Sequence, residues 1–194
     1  MELDNRKRLP IFTIDWESWQ NAVLSKDDWD NNNLRVYEPT IKILHLLDKY
    51  KVKAIFYVLG WLEDQLNKSM SLAYYEIKGA GHVIGSHGYW HNHNESSNNP
   101  LFRSPYWDTT LMPWPPAGGF FFRAMPYNYV KWATEKSGVF WIHPHDLDEG
   151  HPKLKDKWLN FKRHVGLKDA VNKLERLISE VNWGCLEESL QTKS

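Results

Sequence analysis

Cysteine is almost missing from this chain of 194 residues. The single one, Cys185, cannot close an internal disulfide, which excludes a disulfide-stapled scaffold and allows a reducing compartment. Net charge is missing too: 24 Lys and Arg balance 24 Asp and Glu. A protein that grips nucleic-acid phosphates should carry a basic excess, so no nucleic-acid partner is expected. No apolar run approaches the roughly 18 residues of a membrane helix, and no membrane span is predicted. Nor does an apolar stretch of about 7 to 15 residues follow Arg6-Lys7-Arg8, so no secretory signal is read and the expected location is cytoplasmic. Internal repeats and low-complexity runs are absent. So are the phosphate-cradling Gly-x-x-x-x-Gly-Lys-Ser/Thr and the Gly-x-Ser-x-Gly of serine hydrolases. Gly79-x-Gly81-x-x-x-Gly85 closes a helix and enters a strand, the reverse of a dinucleotide loop.

What is abundant is aromatic: 11 Trp, 9 Tyr and 8 Phe, beside 9 His. Such rings suit sugar stacking, although most are expected in the core. The length fits one domain over residues 1–194. Strands are predicted at Pro10 to Asp15, Lys53 to Gly60 and His82 to His87, with helices from Glu38 toward Tyr50 and from Leu62 to Lys78 between them. That alternation argues for a parallel α/β architecture. Asn92 to Gly119, rich in Asn, Ser, Pro and Gly, reads as long connecting loops. Phe120 to Met125 is read as a strand, Pro126 to Lys136 as a helix, Val139 to His143 as a strand and Lys153 to His164 as a polar linker. A final amphipathic helix runs from Leu167 to Val181, with Ala170, Val171, Leu174, Leu177 and Ile178 on one face.

Reactive groups gather at strand ends. Asp15 and Glu17 follow the first strand. His87 and His91 stand four apart after the third, and a helical turn there would face both the same way, able to hold a divalent metal. The bland alternative is a pair of surface-loop histidines. A carboxylate from another strand would complete a two-His-one-carboxylate set, for which Asp15 and Glu17 are candidates, and His143 ends a late strand.

These residues resemble the polysaccharide deacetylase (NodB-homology) superfamily, in motif order and over nearly the whole chain. Thr13-Ile14-Asp15-Trp16-Glu17 is similar to its first motif and Gly85-Ser86-His87-Gly88-Tyr89-Trp90-His91 to its second. Phe102-Arg103-Ser104-Pro105-Tyr106 is similar to its third, and Phe140-Trp141-Ile142-His143-Pro144 to its last. Gly118 to Arg123 and the closing stretch Gly166 to Leu177 resemble the branch associated with exopolysaccharide and O-antigen synthesis. The resemblance implies a deformed, incomplete (β/α) barrel forming a single catalytic domain, and a metal-dependent hydrolase that removes N-acetyl groups from a sugar or glycan precursor. It makes Asp15 the general base, His143 the general acid, and Glu17, His87 and His91 the ligands of one divalent ion, zinc as first expectation. Arg103 would orient Asp15, the Tyr106 amide would help hold the oxyanion, and Tyr106 and Trp107 would bind substrate. Other readings are hydrolysis of another, cyclic amide, or a catalytically silent glycan binder.

Departures from the family pattern carry expectations of their own. Trp16 separates the two carboxylates, so the Asp15 and Glu17 roles could be exchanged. The Asp that usually partners the acid His is missing, leaving Asp146 as a weak substitute. Only 11 residues separate His91 from Arg103, where a helix and a strand are usual. The barrel is therefore expected to be abbreviated, with Asn92 to Gly119 patching the gap beside the metal site, within the chain or in a homodimer. Phe102, Tyr106, Trp107, Met112 and Trp114 would then help form the sugar-facing wall.

Overall fold

The computed structural model describes residues 9–25, 28–30, 34–64, 68–90 and 114–184, with 68–70 as backbone only. Four strands form one parallel sheet in the order β3-β2-β1-β4: β1 Ile11–Trp16, β2 Ala54–Val58, β3 Val83–Ser86 and β4 Val139–Ile142. Seven helices accompany them among the described residues: α1 Tyr37–Lys49, α2 Gly60–Asp64, α3 Lys68–Gly79, α4 Gly119–Ala124, α5 Tyr127–Ser137, α6 Lys157–His164 and α7 Ala170–Glu180. The side-chain period of two splits each strand between faces. Phe12, Ile14 and Trp16 of β1, Phe56 and Val58 of β2, and Phe140 and Ile142 of β4 all enter one hydrophobic core with Ile43 and Leu47 of α1 and Leu174 and Leu177 of α7. Thr13 and Asp15 alternate with the core residues and face the other way.

The strand order alone fits either a doubly wound sheet or a barrel with a missing arc. Helix placement decides between them. In a doubly wound sheet the crossover helix into β4 would lie on the face opposite α1. Here α5, which precedes β4, touches α7 through the Tyr127 hydroxyl, which donates to Glu180 Oε2 at 2.9 Å, and through Lys131 at 3.0 Å from the same oxygen. α7 touches α1 through Lys49 and Glu175 at 2.6 Å, and α1 packs on α3. The helices α5-α7-α1-α3 therefore form one layer on one face. Read as a ring, 4-1-2-3, the strands follow chain order, as in a (β/α) barrel, and among the described residues no strand joins β3 to β4. The expected class holds.

Local chemistry explains the elements. α1 opens with Pro39 in its first turn, and Thr40 ties it to the sheet, donating to Val36 O at 2.6 Å and accepting from Trp16 Nε1 at 2.9 Å. α5 ends at Gly138, whose φ of 75° suits a residue without a side chain and lets its N–H reach Thr134 O at 3.1 Å. Gly118 and Gly119 lie hard against Trp141: a Cβ at either would come within 2.1 to 2.5 Å of it.

Two expectations are corrected. Phe120 to Met125 is not a strand but helix α4, since three consecutive Phe carry no period and only Phe122 is fully buried. The polar linker Lys153 to His164 contains α6, opened by Asp156, whose side chain accepts from Leu159 N at 2.6 Å; no residue of α6 is fully buried, so no apolar pattern announced it. The helix expected from Leu62 to Lys78 corresponds to α2 and α3, with 65–67 outside the described residues. The stretch Asn92 to Gly119 lies largely outside them too. Its described end divides: residues 115–119 are buried, whereas Trp114 is 83% exposed and is not packed within the chain. Among the described residues no helix is long and apolar enough to cross a membrane.

Candidate active site

Parallel strands bring their C-terminal ends to one edge of the sheet, and three such ends meet here. Asp15 is the penultimate residue of β1 and Glu17 follows that strand. His87 follows β3, its N–H still bonded to Val58 O of β2 at 2.8 Å, and His143 follows β4. Asp15, Glu17 and His87 are buried, at 4%, 0% and 3% exposed, while the His143 side chain keeps 14%.

Their spacing is distinctive. His87 Nδ1 lies 3.8 Å from Asp15 Oδ1, and His87 Nε2 lies 3.8 Å from Glu17 Oε2. His143 Nε2 lies 3.6 Å from Glu17 Oε1 and 4.0 Å from Asp15 Oδ2. These separations are too long for hydrogen bonds. Two ligand atoms each about 2.1 Å from one tetrahedral ion stand roughly 3.4 Å apart, so a carboxylate and an imidazole here need close by only a few tenths of an ångström to share one. Asp15 Oδ1 is buried and accepts no hydrogen bond among the described residues. Burial, the largest cause, pushes the Asp15 carboxyl up to about 6 and that of Glu17 to about 7, against the pull of His143 on both and of Arg163 on Glu17, while Asp146 raises both and Asp15 raises Glu17. Two buried carboxylates and an imidazole are the donor set a divalent ion would take, and its charge would keep both acids ionised. The residues present therefore fit such an ion. Each carboxylate faces a different nitrogen of His87, so whichever nitrogen ligates selects its partner: Nε2 goes with Glu17.

The fourth group is held differently. His143 N–H donates to Asp146 Oδ2 at 2.8 Å, and His143 Nδ1 meets the same oxygen at 3.0 Å. Pro144 opens the 3-10 turn Pro144–Leu147, and the i, i+3 spacing of a capping box brings the acid back to its histidine. Asp146 Oδ1 accepts from Arg123 Nε at 2.7 Å. Burial would raise Asp146, but the hydrogen bond from His143 and the Arg123 charge hold it well below the usual carboxylate range. Burial likewise opposes charge on His143, yet Asp146, Glu17 and Asp15 together lift it above the ordinary histidine value. Asp146 is thus a full partner for His143, not the weak substitute expected.

His143, His145 and Asp146 also offer ligand atoms within 4.8 Å of one another. Two of the three are already engaged: Asp146 by Arg123 and His143, and His145 Nε2 by Arg163 Nη1 at 2.7 Å. Arg123, buried, and Arg163, half-buried, make that cluster a poor place for a cation.

Of the residues expected from the sequence, Asp15, Glu17, His87 and His143 come together. His91, Arg103, Tyr106 and Trp107 lie outside the described residues. Residues 87–90 are not helical, and Gly88 has φ 75°, so the helical turn expected after His87 does not form over them. Arg123, His145 and Arg163 were missed. Only Asp146 had a readable signal, the His-Pro-x-Asp capping pattern. Tyr57, in register with Asp15 across β1 and β2, was missed as well; burial and then the Asp15 charge keep its phenol protonated.

A family model described as polysaccharide deacetylase matches residues 23–107, and one described as Domain of unknown function (DUF3473) matches residues 84–191. No curated protein matches the chain. Among solved structures it is similar to the Xyl-CE4 domain of a multidomain xylanase from the hindgut metagenome of Trinervitermes trinervoides, at 15% identity over 97% of this chain and 92% of that one, TM-score 0.47. It is similar to a family 4 carbohydrate esterase from Bacillus anthracis at 14% identity, 98% and 86% coverage, TM-score 0.44. A family 4 acetyl xylan esterase from Clostridium thermocellum, in complex with a cobalt ion, matches at 15% identity, 94% and 91% coverage, TM-score 0.40. The resemblance to polysaccharide deacetylases stands on the first of the two family models, and with the second spanning more than half of its length, from before His87 to beyond His143, the chain belongs to the DUF3473 family.

Proposed function

We propose that this protein is a metal-dependent hydrolase that removes N-acetyl groups from a sugar or glycan precursor in polysaccharide metabolism. The observation that carries the reading is the convergence of Asp15, Glu17 and His87 at 3.8 Å separations, with His143 aimed at both carboxylates from the opposite strand. The polysaccharide deacetylase match over residues 23–107 supports it.

A divalent ion held by Glu17, His87 and His91, zinc as first expectation, would supply Lewis acidity toward the acetamide carbonyl. The chain's own groups do the proton work. Asp15 accepts the proton of the attacking water. An amine leaves only when protonated, and His143 can deliver that proton from Nε2, because Asp146 occupies Nδ1 and fixes the ring. In this reading Arg103 orients Asp15, and Tyr106 and Trp107 contact the sugar.

The test is acetate release across a panel of N-acetylated sugars, with and without chelator, alongside metal content. Metal-dependent acetate release is expected. A metal-loaded protein that opens a cyclic amide and frees no acetate would replace the substrate; a protein that binds glycan without metal or turnover would replace the enzyme. If Asp15→Asn empties the metal site and Glu17→Gln does not, the two carboxylate roles exchange.

A further inference from the structure

Beside His143 stands a second imidazole that the proposed chemistry leaves unused. His145 is 1% exposed, and its ring lies nearly parallel to that of His143, with centroids 4.5 Å apart and planes 15° from each other. Its Nε2 is 2.7 Å from Arg163 Nη1. A guanidinium can only donate, so Nε2 is the lone-pair nitrogen and the proton of a neutral His145 sits on Nδ1. Burial first, and then the positive neighbours His143, Arg163 and Arg123, hold that ring well below the ordinary histidine range.

Arg163 is anchored at both ends. Nη2 donates to Ala22 O at 2.9 Å, on the loop after β1, and the Arg163 carbonyl accepts from Arg123 Nη1 at 2.9 Å. His143 is therefore bracketed from two directions. Asp146, backed by Arg123, takes Nδ1 in the plane of the ring. His145, backed by Arg163, covers one of its faces. A single hydrogen bond to Nδ1 leaves the ring free to tilt about that bond, and a flat neighbour against its face removes the tilt.

We propose that His145 and Arg163 are positioning residues for His143: Arg163 fixes the His145 ring, and His145 holds His143 by its face so that Nε2 stays aimed between Asp15 and Glu17. The proposal rests on His143 being the general acid. His145 meets the general acid by its face alone and Arg163 reaches it through that ring; because the Arg163 charge also acts on Glu17, metal content is measured in each Arg163 variant.

The experiment uses the full chain and four variants, Arg163→Met, Arg163→Gln, His145→Ala and His145→Phe, each first shown to be folded. Supporting groups of this kind typically contribute about tenfold to a hundredfold. Arg163→Met and His145→Ala should lose kcat in that range with KM unchanged. Arg163→Gln, whose amide can still donate to Nε2, and His145→Phe, which keeps a flat face, should recover most of it. Unchanged kcat in Arg163→Met, or equal losses in all four that merely follow melting temperature, would overturn the proposal. A second readout needs no turnover. Nitrogen-15 imidazole spectra of the parent should show His145 protonated at Nδ1, with that state lost in Arg163→Met and the His143 signals shifted in His145→Ala. A parent His145 protonated at Nε2 overturns the pairing. If the expected spectra appear in a protein that releases no acetate, the deacetylase reading fails and the support of His143 by this pair stands.

Discussion

The two halves of the site treat buried charge in opposite ways. Around His143 every charge is answered inside the protein: Asp146 accepts from both the backbone and the ring of His143, and Arg123 closes the network at 2.7 Å while also donating to the carbonyls of Lys162, Arg163 and Val165. Around His87 the two carboxylates stand at 3.8 Å with their acidities driven down by burial. The first half is finished by the chain alone. In the second, burial outweighs the favourable charges of His143 and Arg163, and both carboxyls stay raised. Burial by itself therefore does not mark a ligand site; burial that outweighs the neighbouring charges does.

The largest effect should come from breaking one member of each half. Asp15→Asn and His143→Ala are each expected to lower turnover by about 10² to 10⁴-fold while leaving metal content unchanged. Residual turnover above roughly a tenth of the parent would remove that residue from its role.

Stability should separate the halves next. Arg123 is 4% exposed and Asp146 1%. Arg123→Met leaves Asp146 charged and buried without its cation, so urea unfolding should show a loss of about 3–5 kcal/mol. A loss below about 1 kcal/mol would mean the network is not self-compensating.

The other half should respond to pH in the metal-free protein. The folded-state acidity of Asp15 lies at about 6 against an ordinary 3.8, so between those values the folded chain keeps a proton that the unfolded chain has lost. Stability then falls as pH rises through that window. Asp15→Asn removes the Asp15 share of this dependence and leaves that of Glu17, raised to about 7. In chelator its advantage over the parent should be small near pH 4 and reach on the order of 2–3 kcal/mol by pH 7. An advantage independent of pH would show that Asp15 is compensated after all.

The smallest effect is a control on the surface. Arg35 binds Asp148 with two hydrogen bonds, 2.6 and 2.9 Å, yet its side chain is 39% exposed. Solvent screening reduces such a pair, and Arg35→Ala should cost only about 1 kcal/mol. A cost equal to that of Arg123→Met would show that bidentate geometry, and not burial, sets the value of these pairs.

The amino-acid sequence by itself determined the strands, because β1, β2 and β4 carry apolar runs bounded by polar or glycine residues, and it determined that Asp15, Glu17, His87 and His143 would stand at strand ends. Parallel strands end on one edge, so their convergence was legible once the alternation of strand and helix was read. Tertiary structure alone decided the rest. α6 carries no buried stripe, and α4 carries three Phe without a period, so local pattern could not announce either. Arg123 and Arg163 approach the site from helices distant in the chain, and a lone arginine looks the same in sequence whether it is solvated or buried against a carboxylate. Its role is set by what folds over it, through desolvation and geometry that no local pattern encodes.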